Sequence, residues 1–338
     1  MKHSARAWSV LGVIFVASVG GCTSPRAGAP AALVAADLYN GVGRSVGIGV
    51  PAVPEPSMVL LDPVTNRRVA EAKCGPGSQD LSVLFPALWS DPPDRVLYAQ
   101  LCSRGRAVGA PLVLQPMLSP KTAALVEAQS HRAYWIDDST GKPEFEGRSG
   151  VIRYYAESPV ENAGLRIYRD QRVVLETTLG EMEFALRPDA APNTVFNFLH
   201  LVEGGFYRQI VFHRVVPVGR DGKPFVIQVG DPTATGDGGP GYSIDMEAST
   251  LAHDFGVISM ARDSEPNTAG SQVFVCLSRE GTARLDGKYC AFGELTRGAG
   301  VVRAIAMTEV MEGTDRPRDP PVLLGARLVD APPRQPAP

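Results

Sequence analysis

The sequence predicts a mainly β fold in two domains: a small all-β, sandwich-like domain, then a closed barrel. Three observations carry this. Short apolar runs with period-2 alternation recur along the chain, separated by Gly, Pro, Asn and Asp clusters. In the C-terminal half, "APNTVFNFLHLVEGGF" and "GAGVVRAIAM" stand out as helical against a background of strands. Many short strands with few helices favour a closed sheet, because closure removes exposed edges.

The chain has 338 residues, 44% of them hydrophobic, and a formal net charge of -3. One or two domains fit that length. With no Lys/Arg-rich run and no basic excess, nucleic-acid binding is set aside.

The N-terminus has its own logic. "MKHSARAWSVLGVIFVASVGGC" begins basic at Lys2 and Arg6, becomes apolar from Trp8 to Val19, and ends in small residues. That order is the order of a secretory signal, and the apolar run is short for a membrane span. Val19-Gly20-Gly21-Cys22 resembles a bacterial lipobox, which implies cleavage after residue 21 and lipid on Cys22. Each buried lipid CH₂ contributes ~0.8 kcal/mol, so several acyl chains would hold the chain to a bilayer. Thr23 follows where Asp would signal retention, so the expectation is an outer-membrane anchor facing the periplasm. An oxidising compartment also permits disulfides. Cys74 with Cys102 and Cys276 with Cys290 are the pairings within each half, and both stay open.

Residues 23–56, after the lipidated cysteine, are rich in Pro, Gly and Ala and read as a flexible tether. Residues 57–170 read as strands. "MVLLD", the turn "PVTN" and "RRVAEA" make a hairpin, and "RVLYAQLC" alternates before "PLVLQPM". His131, Asp137 and Asp138 lie in turn-like sequence and read as a solvated loop rather than a metal site. From 171 to 330 comes the second domain, and 331–338 is a Pro-rich tail. The second domain opens on a hairpin, "RVVLETTLGEMEFALRP", turning at Leu179-Gly180-Glu181. In the helix that follows, Val195, Phe198, Leu199 and Val202 form one stripe, Asn193 or Thr194 serves as cap, and Gly204 stops it.

The second domain lacks the usual chemistry-bearing patterns. Its histidines His200, His213 and His253 are not at metal-ligand spacing, and there is no Cys-x-x-Cys. Ser271 is outside any G-x-S-x-G elbow, and "TGDGGPGYS" lacks the Lys-Ser/Thr of a phosphate loop. No metal or cofactor is expected. The unusual residues are Arg214 and Gln228, which interrupt the apolar strands of "FHRVVPVGRDGKPFVIQVGD", and Gln272 in "AGSQVF". Polar side chains in such strands call for a partner. Amides, a guanidinium and apolar neighbours can hold a peptide backbone and a compact apolar ring.

"FHRVVP", "FVIQVGDPTATGDGGPGYSI", "GVISMAR", "PNTAGSQVFV" and "LDGKYCAFGEL", in that order, resemble the motifs of cyclophilin-type peptidyl-prolyl cis-trans isomerases. The resemblance implies an eight-stranded antiparallel barrel capped by two helices. It implies isomerisation of Xaa-Pro bonds, with Arg214 as donor to the prolyl nitrogen. With the N-terminal signal, the expected clients are envelope or secreted polypeptides, and the chain is expected to act as a monomer. Gln228 and Phe225 are the other residues it implicates in catalysis. It places Val226, Phe274, Leu285 and Tyr289 around the proline ring. Gln272, with backbone near Ala261 and Arg262, would hold the rest of the peptide. Phe212 is expected in the core, and His213 as a packed histidine with no proton to transfer. Arg284, where many members carry Trp, argues against cyclosporin binding. Val226 stands where Met is common, Arg262 where Asn is, and Tyr289 where His is. "VGRDGK" (218–223) enlarges a loop beside the site, chiefly as a tolerated surface insertion. The competing reading is a module that binds proline segments, or scaffolds partners, with little turnover.

Overall fold

The computed structural model describes residues 32–120, 123–126, 133–135, 151–154 and 160–337. The segment read as a secretory signal, Cys22, and His131, Asp137 and Asp138 lie outside them.

The stretch expected as a tether is folded from Leu33 onward. Val34–Ala35, Gly47–Val50 and Gly77–Asp80 form a three-stranded antiparallel sheet. The reason is alternation hidden among glycines. Val46, Ile48 and Val50 are buried, and Gly47 and Gly49 separate them. Their buried faces share one core with Met58, Leu60, Ala99, Leu101, Leu112, Leu114, Leu165 and Ile167 of a second, seven-stranded sheet. The domain is therefore a two-sheet sandwich that starts well before residue 57. Its expected hairpin pairs Pro56–Leu61 with Arg68–Lys73. A further small sheet joins Ala123–Val126 to Ala133–Trp135 and Val151–Tyr154.

The strand Leu97–Ser103 departs from simple alternation, since Leu97 through Cys102 are all buried. Both of its faces are covered. One meets the three-stranded sheet; the other meets the C-terminal tail. Arg334 lies over the Tyr98 ring at 3.7 Å, and its backbone N–H donates to Gln100 Oε1 at 2.8 Å. Ala337 N donates to Asn66 O at 2.9 Å, and Ala331 N to Asp170 O at 3.0 Å. The tail of the second domain thus straps across the first.

The second domain is one antiparallel sheet. Its order is Ile210–Val211, Val322–Asp330, Gln171–Thr177, Gly180–Leu186, Ala291–Arg297, Val257–Met260, Val273–Cys276, Val226–Val229, Arg214–Val216. The first and last of these are consecutive pieces of one extended segment. Taken as one strand, they curl the sheet into the expected eight-stranded barrel. Phe184, Phe198, Phe212, Phe292 and Tyr207 fill its interior. The first hairpin turns at Thr178–Leu179, one residue earlier than the sequence signals, with Thr177 paired to Gly180.

Two helices close the barrel. Pro192–Glu203 buries the predicted stripe Val195, Phe198, Leu199 and Val202, and Gly204 caps its C-terminus. Its N-terminal cap is not its own Asn193 or Thr194. The Glu247 carboxylate accepts from Asn193 N at 2.9 Å and Thr194 N at 2.7 Å. A carboxylate there satisfies two orphan donors and complements the helix dipole. Ala299–Ala306 follows Gly298, whose φ is 98° and whose place would put a Cβ 2.4 Å from Glu181 O. Only glycine fits that approach. Cys74, Cys102, Cys276 and Cys290 are all free thiols, so neither pairing forms. Burial pushes Cys276 up to about 12 and Cys290 to about 11.

Candidate functional site

Arg214 and Gln228 are register partners on adjacent strands. Period-2 geometry puts their side chains on the same face of the sheet. Arg214 Nη1 donates to Gln228 Oε1 at 3.2 Å, and Gln228 Nε2 donates to Gln272 Oε1 at 2.9 Å. Gln272 Nε2 donates in turn to the carbonyls of Gly236 and Gly238, at 2.7 and 2.9 Å. The chain of amides runs from the guanidinium to the Gly-rich loop. Asp231 anchors that loop, accepting from Thr233 N at 2.7 Å and Gly236 N at 2.6 Å. Burial opposes its charge, but the Thr233 hydroxyl and N–H with the Gly236 and Gly238 N–H groups hold its pKa well below the usual carboxylate range.

The other end of the chain is Asp315. Its Oδ2 accepts from Arg214 Nε at 3.1 Å, which fixes the plane of the guanidinium. Sequence reasoning missed this residue. It is 101 positions from Arg214, in a loop with no local pattern. Arg214 remains accessible, with 38% of its side chain exposed.

Beside the guanidinium lies a pocket of about 170 Å³, lined by Arg214, Phe225, Val226, Gln228, Ala261, Arg262, Phe274, Leu285 and Tyr289. Of the residues expected from the sequence to act on or hold the peptide, all but Gln272 meet here. Gln272 lines an adjoining groove of about 630 Å³ with Gln228, Ala261, Arg262 and the Gly236–Ser243 segment. The two pockets meet along Gln228, Ala261 and Arg262.

The apolar side of the pocket belongs to a cluster distinct from the barrel interior, in which Val226, Phe274 and Leu285 pack with Val216, Val257, Cys276 and Ala291, and Phe225 and Tyr289 are partly exposed. Phe212, by contrast, is core. Phe274 meets Tyr289 edge-on at 5.7 Å and stacks on His253 at 6.0 Å. His253 is buried, with Nδ1 3.0 Å from Asp286 Oδ1 and Nε2 3.0 Å from Ser259 Oγ. Arg279 in turn donates to Asp286 Oδ2 at 2.6 Å and, first among several donors, keeps that carboxyl ionised well below its usual range. This network fixes the Phe274 ring from behind. It too escaped sequence reasoning, because its members are spread from 253 to 286.

His213, adjacent to Arg214, is buried, and among the described residues no hydrogen bond reaches either ring nitrogen. Burial lowers its pKa, against the pull of Asp231. A packed histidine is what the sequence leads one to expect. The "VGRDGK" loop is tied to the site: Asp221 pairs with Arg284 Nη1 at 3.4 Å, and the Arg284 guanidinium lies over Phe225 at 4.3 Å. Among the described residues, no group of His, Cys, Asp and Glu is placed to hold a metal ion.

The fold and site together are those of a closed antiparallel β-barrel with a fixed guanidinium beside a small pocket of aromatic and aliphatic side chains, and linked amides next to it. The family model for "Cyclophilin type peptidyl-prolyl cis-trans isomerase/CLD" matches residues 172–328. "Peptidyl-prolyl cis-trans isomerase-like 1" of Aspergillus oryzae is 36% identical over 163 residues, 47% of this chain and 95% of the relative. Its Neurospora crassa counterpart is 38% identical over 162 residues, 46% of this chain and 93% of the relative. A crystal structure of a Cryptosporidium parvum cyclophilin type peptidyl-prolyl cis-trans isomerase aligns with a TM-score of 0.44 and 31% identity, covering 48% of this chain and 99% of that one. The chain belongs to the cyclophilin-type peptidyl-prolyl cis-trans isomerase family. The matches cover the barrel domain; the sandwich domain lies outside them.

Proposed function

We propose that this chain catalyses cis-trans isomerisation of Xaa-Pro bonds in envelope or secreted polypeptides, acting as a folding helper. The observation that carries the reading is the guanidinium of Arg214, held by Gln228 and Asp315 at the edge of a pocket of about 170 Å³ walled on one side by Phe225, Val226, Phe274, Leu285 and Tyr289. Rotation about a peptide bond meets a barrier of ~18–20 kcal/mol because resonance is lost. For Xaa-Pro the two planar forms differ by about 1 kcal/mol, so the reaction is slow but reversible. Catalysis needs tighter binding of the twisted amide than of either planar one.

The proline ring fills the pocket between Phe225, Val226, Phe274, Leu285 and Tyr289. In the twisted state the prolyl nitrogen recovers a lone pair, and Arg214 donates to it. Its charge is permanent, so no proton transfer is required. A rate gain of ~10⁵ requires about 7 kcal/mol. One charge-assisted hydrogen bond contributes ~1.5–3 kcal/mol. The rest comes from positioning of the peptide and of groups already held in place before it binds. Gln228 contributes by holding Arg214, and Gln272 by holding both Gln228 and the glycine loop that borders the peptide groove.

The same reading places the protein in the bacterial envelope, anchored through lipid on Cys22 and acting as a monomer. Fractionation tests the anchor: the wild-type chain stays with membranes, and Cys22→Ala releases it to the soluble fraction. Retention of the variant would refute it. Exchange NMR on a proline peptide tests the chemistry. Faster exchange between cis and trans peaks supports turnover, and shift changes without faster exchange support a binding module instead.

A further inference from the structure

The pocket that takes the proline is lined by two arginines and no carboxylate. The three cations around it differ in how they are neutralised. Arg214 faces Asp315 at 3.1 Å, and Arg284 faces Asp221 at 3.4 Å. Arg262 pairs with no carboxylate among the described residues. Its guanidinium donates only to backbone carbonyls: Nε and Nη2 to Lys288 O at 3.2 and 2.8 Å, Nη1 to Asp263 O and Ser264 O at 2.8 and 2.9 Å. Those bonds, and its seat on the Tyr289 ring at 4.5 Å, make it a rigid cation rather than a waving one. Carbonyl dipoles orient the charge without cancelling it. Asp263, whose Oδ1 accepts from Ser264 N at 2.7 Å, lines the larger groove together with Asp237 but not the smaller pocket, and neither forms an ion pair with Arg262 among the described residues.

Arg262 also sits where the two pockets meet, lining both the proline pocket and the larger groove. A peptide with its proline in the smaller pocket must pass its neighbouring residues over this seam. Extended chain advances ~3.3 Å per residue, so the residues next to the proline lie within reach of Arg262.

We propose that Arg262 is a specificity-determining residue, and that this site prefers clients carrying an acidic side chain next to the proline. The inference rests on the isomerase reading above and adds the substrate class. An unpaired, pre-ordered guanidinium favours a carboxylate in the bound peptide and disfavours an ammonium. The contact is partly exposed, so it weakens with salt.

The test uses peptides identical except for Glu, Gln or Lys at the position before or after the proline. Exchange NMR gives kcat/KM for each, with the full chain, at about 20 mM and about 300 mM salt, across which the Debye length falls from ~20 Å to ~6 Å. The wild type is expected to favour Glu over Lys by about tenfold at low salt and about twofold at high salt, at one of the two positions. The Glu/Lys ratio within one protein cancels any general loss of activity. That ratio is expected to collapse towards one in Arg262→Gln and to persist in Arg262→Lys. Equal rates for Glu and Lys in the wild type, or a ratio that Arg262→Gln leaves unchanged, would overturn the proposal. If no peptide, including the Gln one, is turned over, the isomerase reading fails instead. Chemical-shift titration of the same peptides then reads the preference, and equal affinities overturn it.

Discussion

Arg214 donates to Gln228 Oε1 at 3.2 Å across the strand ladder, while Asp315 holds its other edge at 3.1 Å. The guanidinium is therefore ordered before any peptide arrives. Pre-ordering matters because a donor that must first be immobilised gives up part of its binding energy to entropy.

Gln228→Leu keeps the side-chain volume but removes both links of the amide chain. The bond from the Arg214 guanidinium is charge-assisted and contributes ~1.5–3 kcal/mol, so kcat/KM is expected to fall at least about tenfold, with kcat carrying most of the loss. Steady-state rates on a prolyl peptide check this. An unchanged kcat would mean that Arg214 does not depend on Gln228 for its position.

Asp170 gives a pH signature in stability. It is buried behind Arg334, and burial raises its pKa from 3.8 to about 6 despite that arginine. Between those values the folded chain keeps a proton that the unfolded chain has released. Its stabilising contribution is therefore complete below pH ~4 and is lost as pH rises through about 6. Asp170→Asn removes the titration. Relative to wild type, the variant is expected to gain about 2–3 kcal/mol between pH 4 and pH 7 in urea unfolding. A difference that stays flat, or shrinks as pH rises, would contradict the assignment.

Truncation after Asp330 tests the strap. It strips Arg334 from the Tyr98 ring and leaves Gln100 Oε1 without the Arg334 N–H. A lost cation–π contact and an unpaired buried acceptor together cost about 3 kcal/mol. The transition of the sandwich domain is expected to fall accordingly. No tail residue lines the proline pocket, so kcat/KM should not change.

Much of the barrel is legible in the sequence because its cues are local. Period-2 runs mark the strands, and the Val195–Val202 stripe marks the helix. A charged residue interrupting "FHRVVP" marks the site, since a core strand has no use for it. What escapes is carried by distant partners. Asp315 reaches Arg214, Glu247 caps a helix 54 residues away, and Arg334 covers a sheet in the other domain. None of these leaves a spacing to read. The folded start of the sandwich is a different failure. In "VGIGV" the apolar alternation is present, but the interleaved glycines and nearby prolines make it look like linker.

The central claim is that Arg214 stabilises the twisted amide. Exchange NMR on an Ala-Pro peptide, comparing the wild type with Arg214→Ala and Arg214→Lys, tests it most directly. Loss of a charge-assisted bond worth ~2–3 kcal/mol predicts a fall in kcat/KM of about a hundredfold for Arg214→Ala, with peptide affinity little changed. Arg214→Lys is expected to recover only a small part, because a point charge cannot span both Gln228 and Asp315. Wild-type catalysis no greater than that of Arg214→Ala would contradict the account.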